Sequence, residues 1–351
     1  MRSLRAFWAT LLIAVAFAAG ACLLPDNPYQ RWQLLDGTIH ANARWFYERA
    51  HFDPRPIDVV FVGPSRVEMG VDAPRLEQDL AKLGRPAHVM NAALPQEGRN
   101  LNDVIVREIL SAKTPRLIVI GVTEKPSRFG HPAYKYIAPA DQVLDPGYFP
   151  DFDWASDVAY LPYRQLRLFV SQLLPGGTGL DRQFDPRKYA GESVETTGSL
   201  LMADGRFKDA DHPGSPSIVR AAASRFAASM HPPLLHGRVA RWEFADERAN
   251  IADIARLARS RGVRIAFLYL PYFNARPQIQ EAPFYSRFGP IWRPDFLADD
   301  IGLYYDYGHL DRTGAARLTD WLAPQVAAQL AEAPVGAPES AKRQPLFGRR
   351  V

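Results

Sequence analysis

The chain has 351 residues and a formal net charge of +4, from 42 Lys and Arg against 38 Asp and Glu. Two arginines precede an apolar N-terminal run, residues 332–351 carry four basic and two acidic residues, and the body between them has 36 charges of each sign. A neutral body has no electrostatic reason to bind nucleic-acid phosphates, so we expect no nucleic-acid partner. The composition, 47% hydrophobic and 23% charged, excludes a disordered or coiled-coil chain.

Residues 6–24 form an uncharged apolar run that predicts a transmembrane helix in a segment 1–24. As a helix the run is about 28 Å long, close to the roughly 30 Å hydrocarbon core of a bilayer. Arg2 and Arg5 precede it, which places the body outside the cytoplasm by the positive-inside rule. The Ala- and Arg-rich composition favours a bacterial inner membrane with the body in the periplasm. Two alternatives remain open: a signal peptide cleaved after Ala21, and a lipoprotein modified at Cys22.

The first half of the body has the rhythm of alternating strands and helices. Residues 25–55, rich in aromatics, predict a membrane-proximal helical segment. A strand is expected at 57–62, a helix capped by Asp72 at 75–83, a short strand at 87–90, a helix at 101–112 and a strand at 117–121. In these strands apolar residues follow one another without alternating with polar ones. Such strands, separated by helices, are typical of a parallel sheet covered on both faces. The sequence therefore predicts an α/β fold.

In the second half, the alternation of strands and helices is interrupted. Residues 125–245 are dense in Pro, Gly, Tyr and Asp and predict an insertion within a domain spanning 56–331. A helix at 244–260, a strand at 263–270, a last short strand at 301–305 and a helix at 312–330 follow. The tail 332–351 is predicted to be disordered and basic.

Two polar segments follow predicted strands, where open α/β sheets bind their ligands. Ser65 comes after a strand and a Gly-Pro corner, a position suited to a nucleophile. The alternative is a serine that only caps a turn. Asp306 and His309, three residues apart before the last helix, suit a base whose tautomer is held by a carboxylate. The alternative is a solvated loop in which Asp311 caps the helix.

Taken together, these blocks resemble the SGNH/GDSL hydrolase superfamily. The resemblance rests on a strand followed by Gly-x-Ser, Asn91 after the second strand, Gly121 after the third, and Asp-x-x-His before the final helix, and it covers residues 57–122 and 262–330. It implies a flavodoxin-like sandwich of about five parallel strands. It also implies Ser65 as nucleophile, His309 as base and Asp306 as its partner. The N-terminal run and the Ser65-Arg66 pair are most similar to the membrane-anchored branch that includes D-alanyl-transfer and alginate-acetylation proteins.

The oxyanion-binding blocks depart from the family pattern. Ala93 lies where the family has a glycine N–H donor, and Thr123 stands where it has an asparagine. The N–H groups of Ser65 and Ala93, with Thr123, are the expected oxyanion donors. Arg66, Asn91 and Glu124 are candidate substrate-binding residues, although Arg66 could instead pair with Glu68 or Glu124. No cofactor or metal site is expected.

These observations predict a membrane-tethered extracytoplasmic serine esterase or O-acyltransferase acting on a glycan or acyl-ester substrate of the cell envelope. The resemblance implies a membrane-bound O-acyltransferase as partner. The alternative is a catalytically degenerate binding or assembly protein with the same fold.

Overall fold

The computed structural model describes residues 2–145, 151–174, 176–201, 207–230 and 233–332. The disordered tail predicted from residue 332 therefore lies, apart from Glu332, outside the described residues. The helices are α1 (Arg2–Cys22), α2 (Pro28–Trp32), α3 (Asn42–His51), α4 (Ser65–Gly70), α5 (Ala73–Lys82), α6 (Arg99–Ala112), α7 (Tyr134–Ile137), α8 (Ala140–Leu144), α9 (Trp154–Leu173), α10 (Pro216–Ser229), α11 (Ala240–Glu243), α12 (Ala245–Ser260), α13 (Ala282–Tyr285) and α14 (Arg312–Ala331). The strands are β1 (Val59–Val62), β2 (Val89–Asn91), β3 (Leu117–Val122), β4 (Ser199–Leu201), β5 (Phe207–Asp209), β6 (Arg264–Tyr269) and β7 (Ile291–Trp292).

Five of the strands form one parallel sheet in the order β2-β1-β3-β6-β7. Counted within the sheet alone, this is the order 2-1-3-4-5 of doubly wound α/β folds, whose ligands bind at the carboxyl ends of the strands. The α/β class and the parallel sheet are as predicted. β4 and β5 form a separate antiparallel pair between β3 and β6.

The sheet is covered on both faces, as its continuous apolar strands require. Alternate residues of β1 enter opposite cores: Val60 and Val62 pack with α3, α6 and α12, whereas Val59 and Phe61 pack with α5 and α14. The strand interiors are fully buried. This double coverage explains why the strands read as unbroken apolar runs.

The predicted last strand at 301–305 is wrong. The Asp300 carboxylate accepts a hydrogen bond from the Gly302 N–H at 3.0 Å and begins a 3-10 turn over Ile301–Leu303. The fifth strand is β7, which lies earlier in the chain, and Tyr304 makes only an isolated bridge to Leu310. A side-chain cap thus turns the backbone away from the sheet just before the His309 loop.

The N-terminal helix α1 is long and apolar enough to cross a membrane: residues Leu4–Cys22 have a mean hydropathy of 1.8 and are almost entirely exposed. The segment after it does not stand apart from the body. Trp32 and Leu35, together with Phe46 of α3, belong to the core on one face of the sheet. The helical segment predicted at 25–55 is therefore packed onto the α/β body.

Candidate active site

Ser65 lies at the carboxyl edge of the sheet, as the first residue of α4 and three residues after β1 ends. The turn between them depends on two glycines. Gly63 has φ +154°, and a Cβ on Gly121 of β3 would lie 2.3 Å from Cγ2 of Val67. Because neither glycine has a side chain, β3 can approach the start of α4 this closely. The turn holds Ser65 half-exposed above the sheet.

His309 is held in a short, internally bonded loop. The Tyr305 N–H donates to the His309 carbonyl at 2.9 Å, which closes the loop on itself. The Asp306 Oδ1 atom accepts hydrogen bonds from the N–H groups of Gly308 at 2.8 Å and His309 at 2.9 Å. At the end of the loop Asp311 caps α14 through the Gly314 N–H at 2.7 Å, as the alternative interpretation of the sequence expected. The histidine therefore has a fixed position rather than a solvated one.

The two segments meet in a continuous chain of hydrogen bonds. Ser65 Oγ lies 2.7 Å from His309 Nε2, and His309 Nδ1 lies 2.8 Å from Asp306 Oδ2. With the Nδ1 proton donated to the carboxylate, Nε2 has a free lone pair that can accept the serine proton. The side chains of His309 and Asp306 are 20% and 37% exposed, so the relay is open to a substrate. The structure thus brings together the three residues that the sequence proposed as one catalytic set.

The electrostatics of Asp306 suit an orienting carboxylate. Burial alone would raise its pKa, but the bond to His309, the imidazole charge and the two loop N–H groups lower the pKa below its ordinary value. Asp306 is therefore ionised at neutral pH. An ionised partner fixes the imidazole tautomer and stabilises the imidazolium that forms when His309 takes a proton.

The predicted oxyanion donors are only partly available. The Ala93 N–H donates to the Asn91 side-chain oxygen at 3.3 Å, a long bond, and the Thr123 hydroxyl donates to the Lys125 carbonyl at 3.0 Å. Ser65 begins α4, and the first N–H groups of a helix have no partner within it. The N–H of Ser65 is therefore better placed to donate to an oxyanion than the Thr123 hydroxyl, which would first have to rotate away from its partner.

Asn91 does not have the placement expected of a substrate-binding residue. It is 3% exposed, and its side-chain nitrogen lies 3.0–3.1 Å from the carbonyls of Val67, Glu68 and Val71. These carbonyls belong to the last turn of α4 and the residue after it. We therefore correct the expectation that Asn91 contacts substrate: the structure uses it to hold the end of α4 on β2.

Arg66 and Glu124, also candidate substrate-binding residues, bind each other. Arg66 Nη1 donates to Glu124 Oε1 at 2.6 Å and to the Leu270 carbonyl at 3.2 Å, and Glu124 Oε1 also accepts from the Tyr269 hydroxyl at 3.0 Å. Burial disfavours the charge of Arg66, but Glu124 outweighs burial and raises the pKa of Arg66. The pairing with Glu124, one of the alternatives for Arg66, is the one that the structure contains.

Sequence reasoning missed Phe226, one of the aromatic side chains around Arg66. The rings of Phe226 and Tyr272 lie 5.6 and 5.9 Å from the Arg66 guanidinium, and Phe226 also contacts Tyr307 of the histidine loop. Phe226 belongs to α10, so part of the predicted insertion borders the site. Nothing local in the sequence marks Phe226, because its ring contacts with Arg66, Tyr272 and Tyr307 all join residues more than forty positions apart along the chain.

A small cleft adjoins the start of α4 and is lined by Gly63, Pro64, Thr123 and Glu97, among others. Within the described parts of the chain, no three His, Cys, Asp or Glu side chains come together as a metal site would require. No known family model matches the sequence, and no curated protein is significantly similar to it.

Proposed function

We propose that this protein is a membrane-tethered serine acyl-ester enzyme of the SGNH type, an esterase or O-acyltransferase. The observation that carries the proposal is the Ser65–His309–Asp306 relay at the carboxyl edge of the parallel sheet. A structural serine needs no imidazole at hydrogen-bond distance, and a solvated histidine needs no carboxylate on its other nitrogen. The three together are what acyl transfer requires.

In the proposed reaction, Ser65 Oγ attacks the acyl carbonyl carbon while its proton moves to His309 Nε2. The carbonyl oxygen becomes an oxyanion, to which the Ser65 N–H donates, with the Ala93 N–H as a second donor once it leaves Asn91. The intermediate then collapses: the bond to the leaving alcohol breaks, and His309 returns the proton to that alcohol. In the second half, water or a sugar hydroxyl attacks the acyl-serine ester while His309 takes its proton; the acyl–Oγ bond then breaks, and His309 returns that proton to Ser65 Oγ.

The membrane anchor α1 indicates where the substrate is found. With α1 in a membrane and the two N-terminal arginines inside, the relay faces the extracytoplasmic side. Cell-envelope or exported glycans are the acceptors that such a position favours, and a membrane-bound O-acyltransferase would be the donor partner by the SGNH resemblance. Uncleaved α1 is the form that this proposal needs; cleavage after Ala21 or lipidation of Cys22 would leave the chemistry unchanged.

A fluorophosphonate probe tests the chemistry, because it phosphonylates only a serine activated by a base. We expect the purified full chain to be labelled at Ser65, the Ser65→Ala variant to be unlabelled, and Ser111→Ala, which changes a serine on α6 far from the site, to be labelled like the wild type. Absence of labelling in the wild type, or equal labelling of Ser65→Ala, would contradict the proposal.

The state of the expected oxyanion donors favours a second, non-catalytic function. Since Ala93 and Thr123 are both engaged in internal hydrogen bonds, the same fold could serve as a binding or assembly protein without turnover. Loss of one donor typically slows acyl transfer by about 10²–10³. Turnover of a p-nitrophenyl acetate ester by the wild type but not by Ser65→Ala would rule this alternative out.

A further inference from the structure

The longest helix of the predicted insertion, α9, presents an apolar face to the outside of the molecule. At about 100° per residue, eight of its residues fall within one arc of about 120°. All eight are apolar: Ala155, Ala159, Pro162, Tyr163, Leu166, Phe169, Val170 and Leu173. Tyr163, Leu166 and Leu173 are 58%, 38% and 63% exposed. We call these eight residues the outer face of α9.

The opposite face of α9 is buried and largely polar. Asp157, Arg164, Gln165 and Ser171 are all less than 5% exposed, between the buried Leu161 and Leu168. Arg164 donates to the carbonyls of Lys135 at 2.8 Å and Ala138 at 2.7 Å. These bonds fix the rotation of α9 about its axis, so the outer face cannot turn inward without breaking them.

This polarity is the reverse of that of a helix packed on a water-soluble domain, whose apolar stripe faces the core. A continuous apolar face outside marks a surface with an occupant. The residues that follow α1 indicate which occupant. Gln165 donates to the Leu24 carbonyl at 2.9 Å, and Gln172 donates to the Pro25 carbonyl at 3.1 Å. α9 is therefore bonded to the two residues at which the apolar N-terminal run ends.

We propose that the outer face of α9 lies in the lipid–water interface of the membrane that holds α1, as a second contact of the body with the bilayer. An interfacial helix buries an apolar face at the boundary between headgroups and acyl chains, and aromatic residues such as Tyr163 prefer that depth. The bilayer is the occupant favoured over a separate protein because α1 already keeps it beside α9. Along α9 the outer arc has no charged residue for a protein partner to recognise.

The consequence is a body held at two points instead of swinging on a single tether. The proposal rests on the tether in the proposed function but not on the acyl-ester chemistry. Its failure can therefore be told from failure of the enzyme proposal.

The test places fluorescent labels on the full chain in vesicles. In a Cys22→Ser background, thiols introduced by Leu166→Cys or Leu173→Cys are labelled with bimane, and the protein is reconstituted into phosphatidylcholine with plain or dibrominated acyl chains. Leu83→Cys is the matched control, because Leu83 is 51% exposed and follows α5 on the other face of the sheet. Circular dichroism checks the fold of each variant, and fluorophosphonate labelling reports the active site independently.

We expect brominated lipid to reduce the emission at positions 166 and 173 by about half, as for groups buried at the acyl boundary, and to leave position 83 unchanged. Equal emission at all three positions would overturn the proposal. Protection of position 166 from a water-soluble thiol reagent in native membranes, without quenching in pure lipid, would also overturn it, in favour of a protein partner.

Discussion

Two hydrogen-bonded pairs of ionisable side chains lie next to each other at the carboxyl edge of the sheet, and they differ in how far they are exposed to solvent. In the His309–Asp306 pair the side chains are 20% and 37% exposed, whereas Arg66 and Glu124 are 11% and 2% exposed. The first pair leaves one imidazole nitrogen free to exchange a proton with Ser65. In the second, Arg66 is bonded to its carboxylate and a backbone carbonyl and lies against aromatic rings. Under the proposed function, the more exposed pair takes part in proton transfer, whereas its buried neighbour stabilises the fold around it.

The largest effect is expected from the exposed pair. Asp306→Asn keeps the shape of the loop but offers the wrong partner to Nδ1, so we expect kcat for ester hydrolysis to fall by about 10²–10⁴. The free energy of unfolding should change little beside that of variants in the buried pair. Steady-state kinetics and denaturant unfolding of one preparation check both. Unchanged turnover in Asp306→Asn would show that the His309–Asp306 pair has no catalytic role that the Arg66–Glu124 pair lacks.

The buried pair should behave in the opposite way. Arg66→Met leaves Glu124 without its cation, and breaking a buried pair from one side typically costs about 3–5 kcal/mol of stability. Adding Glu124→Gln removes the orphaned charge, so the double variant should recover much of that loss, as a double-mutant cycle measures. If both single variants instead unfold like the wild type while losing substrate affinity, Arg66 contacts substrate.

Glu68, another buried ionisable residue near the site, is expected to make the stability of the protein depend on pH. Glu68 of α4 is 7% exposed, and burial raises its pKa to about 8, against the bond from Asn42 that lowers it. The folded state therefore holds a proton that the unfolded state releases at its ordinary pKa of 4.5. Stability contributed by this proton falls as pH rises from that value through about 8.

In Glu68→Gln this fall should be absent, so its melting temperature should decline less than that of the wild type between pH 5 and pH 8.5, by about a few degrees. Asp141→Asn, which removes an exposed carboxylate, serves as the control and should follow the wild type. Parallel curves for Glu68→Gln and the wild type would mean that Glu68 is ionised in the folded protein.

The smallest effect is expected at the outer edge of the buried pair. Phe226→Ala removes a ring from Arg66 and from Tyr307, contacts worth about 1 kcal/mol, so kcat/KM should fall by about fivefold. The matched variant Phe296→Ala changes a half-exposed phenylalanine outside the site and should have no effect on kcat/KM. Equal kcat/KM values for the two variants would show that α10 does not contribute to the site.

The sequence predicted those parts whose evidence is local. Apolar runs fix β1, β3 and β6, and Asp72 accepts the Arg75 N–H at 3.0 Å as the cap of α5. The expectation that Ser65 and His309 meet followed from the rule that parallel strands carry their ligands at one edge. The SGNH assignment itself stays a prediction.

The remainder depended on side-chain caps and tertiary contacts that the apolar pattern does not reveal. The Asp300 cap that replaces the expected strand at 301–305 competes locally with β structure, and no periodicity reveals it. The role of Asn91 in holding the end of α4 on β2, and the position of Phe226 beside Arg66, depend on tertiary packing. In α9 the period is clear, but which face lies inside is decided by neighbours such as Leu24 and Lys135.

The bond between Ser65 and His309 joins residues 244 positions apart in the chain. A chain that crosses a membrane from its N-terminus exposes Ser65 long before the residue that would activate it. Under the proposed function, the serine is not activated until the loop before α14 has been synthesised and has folded. Under the proposed function, a chain cut short before residue 309 therefore has no activated serine, and ester hydrolysis begins only after synthesis and export have reached the last helix.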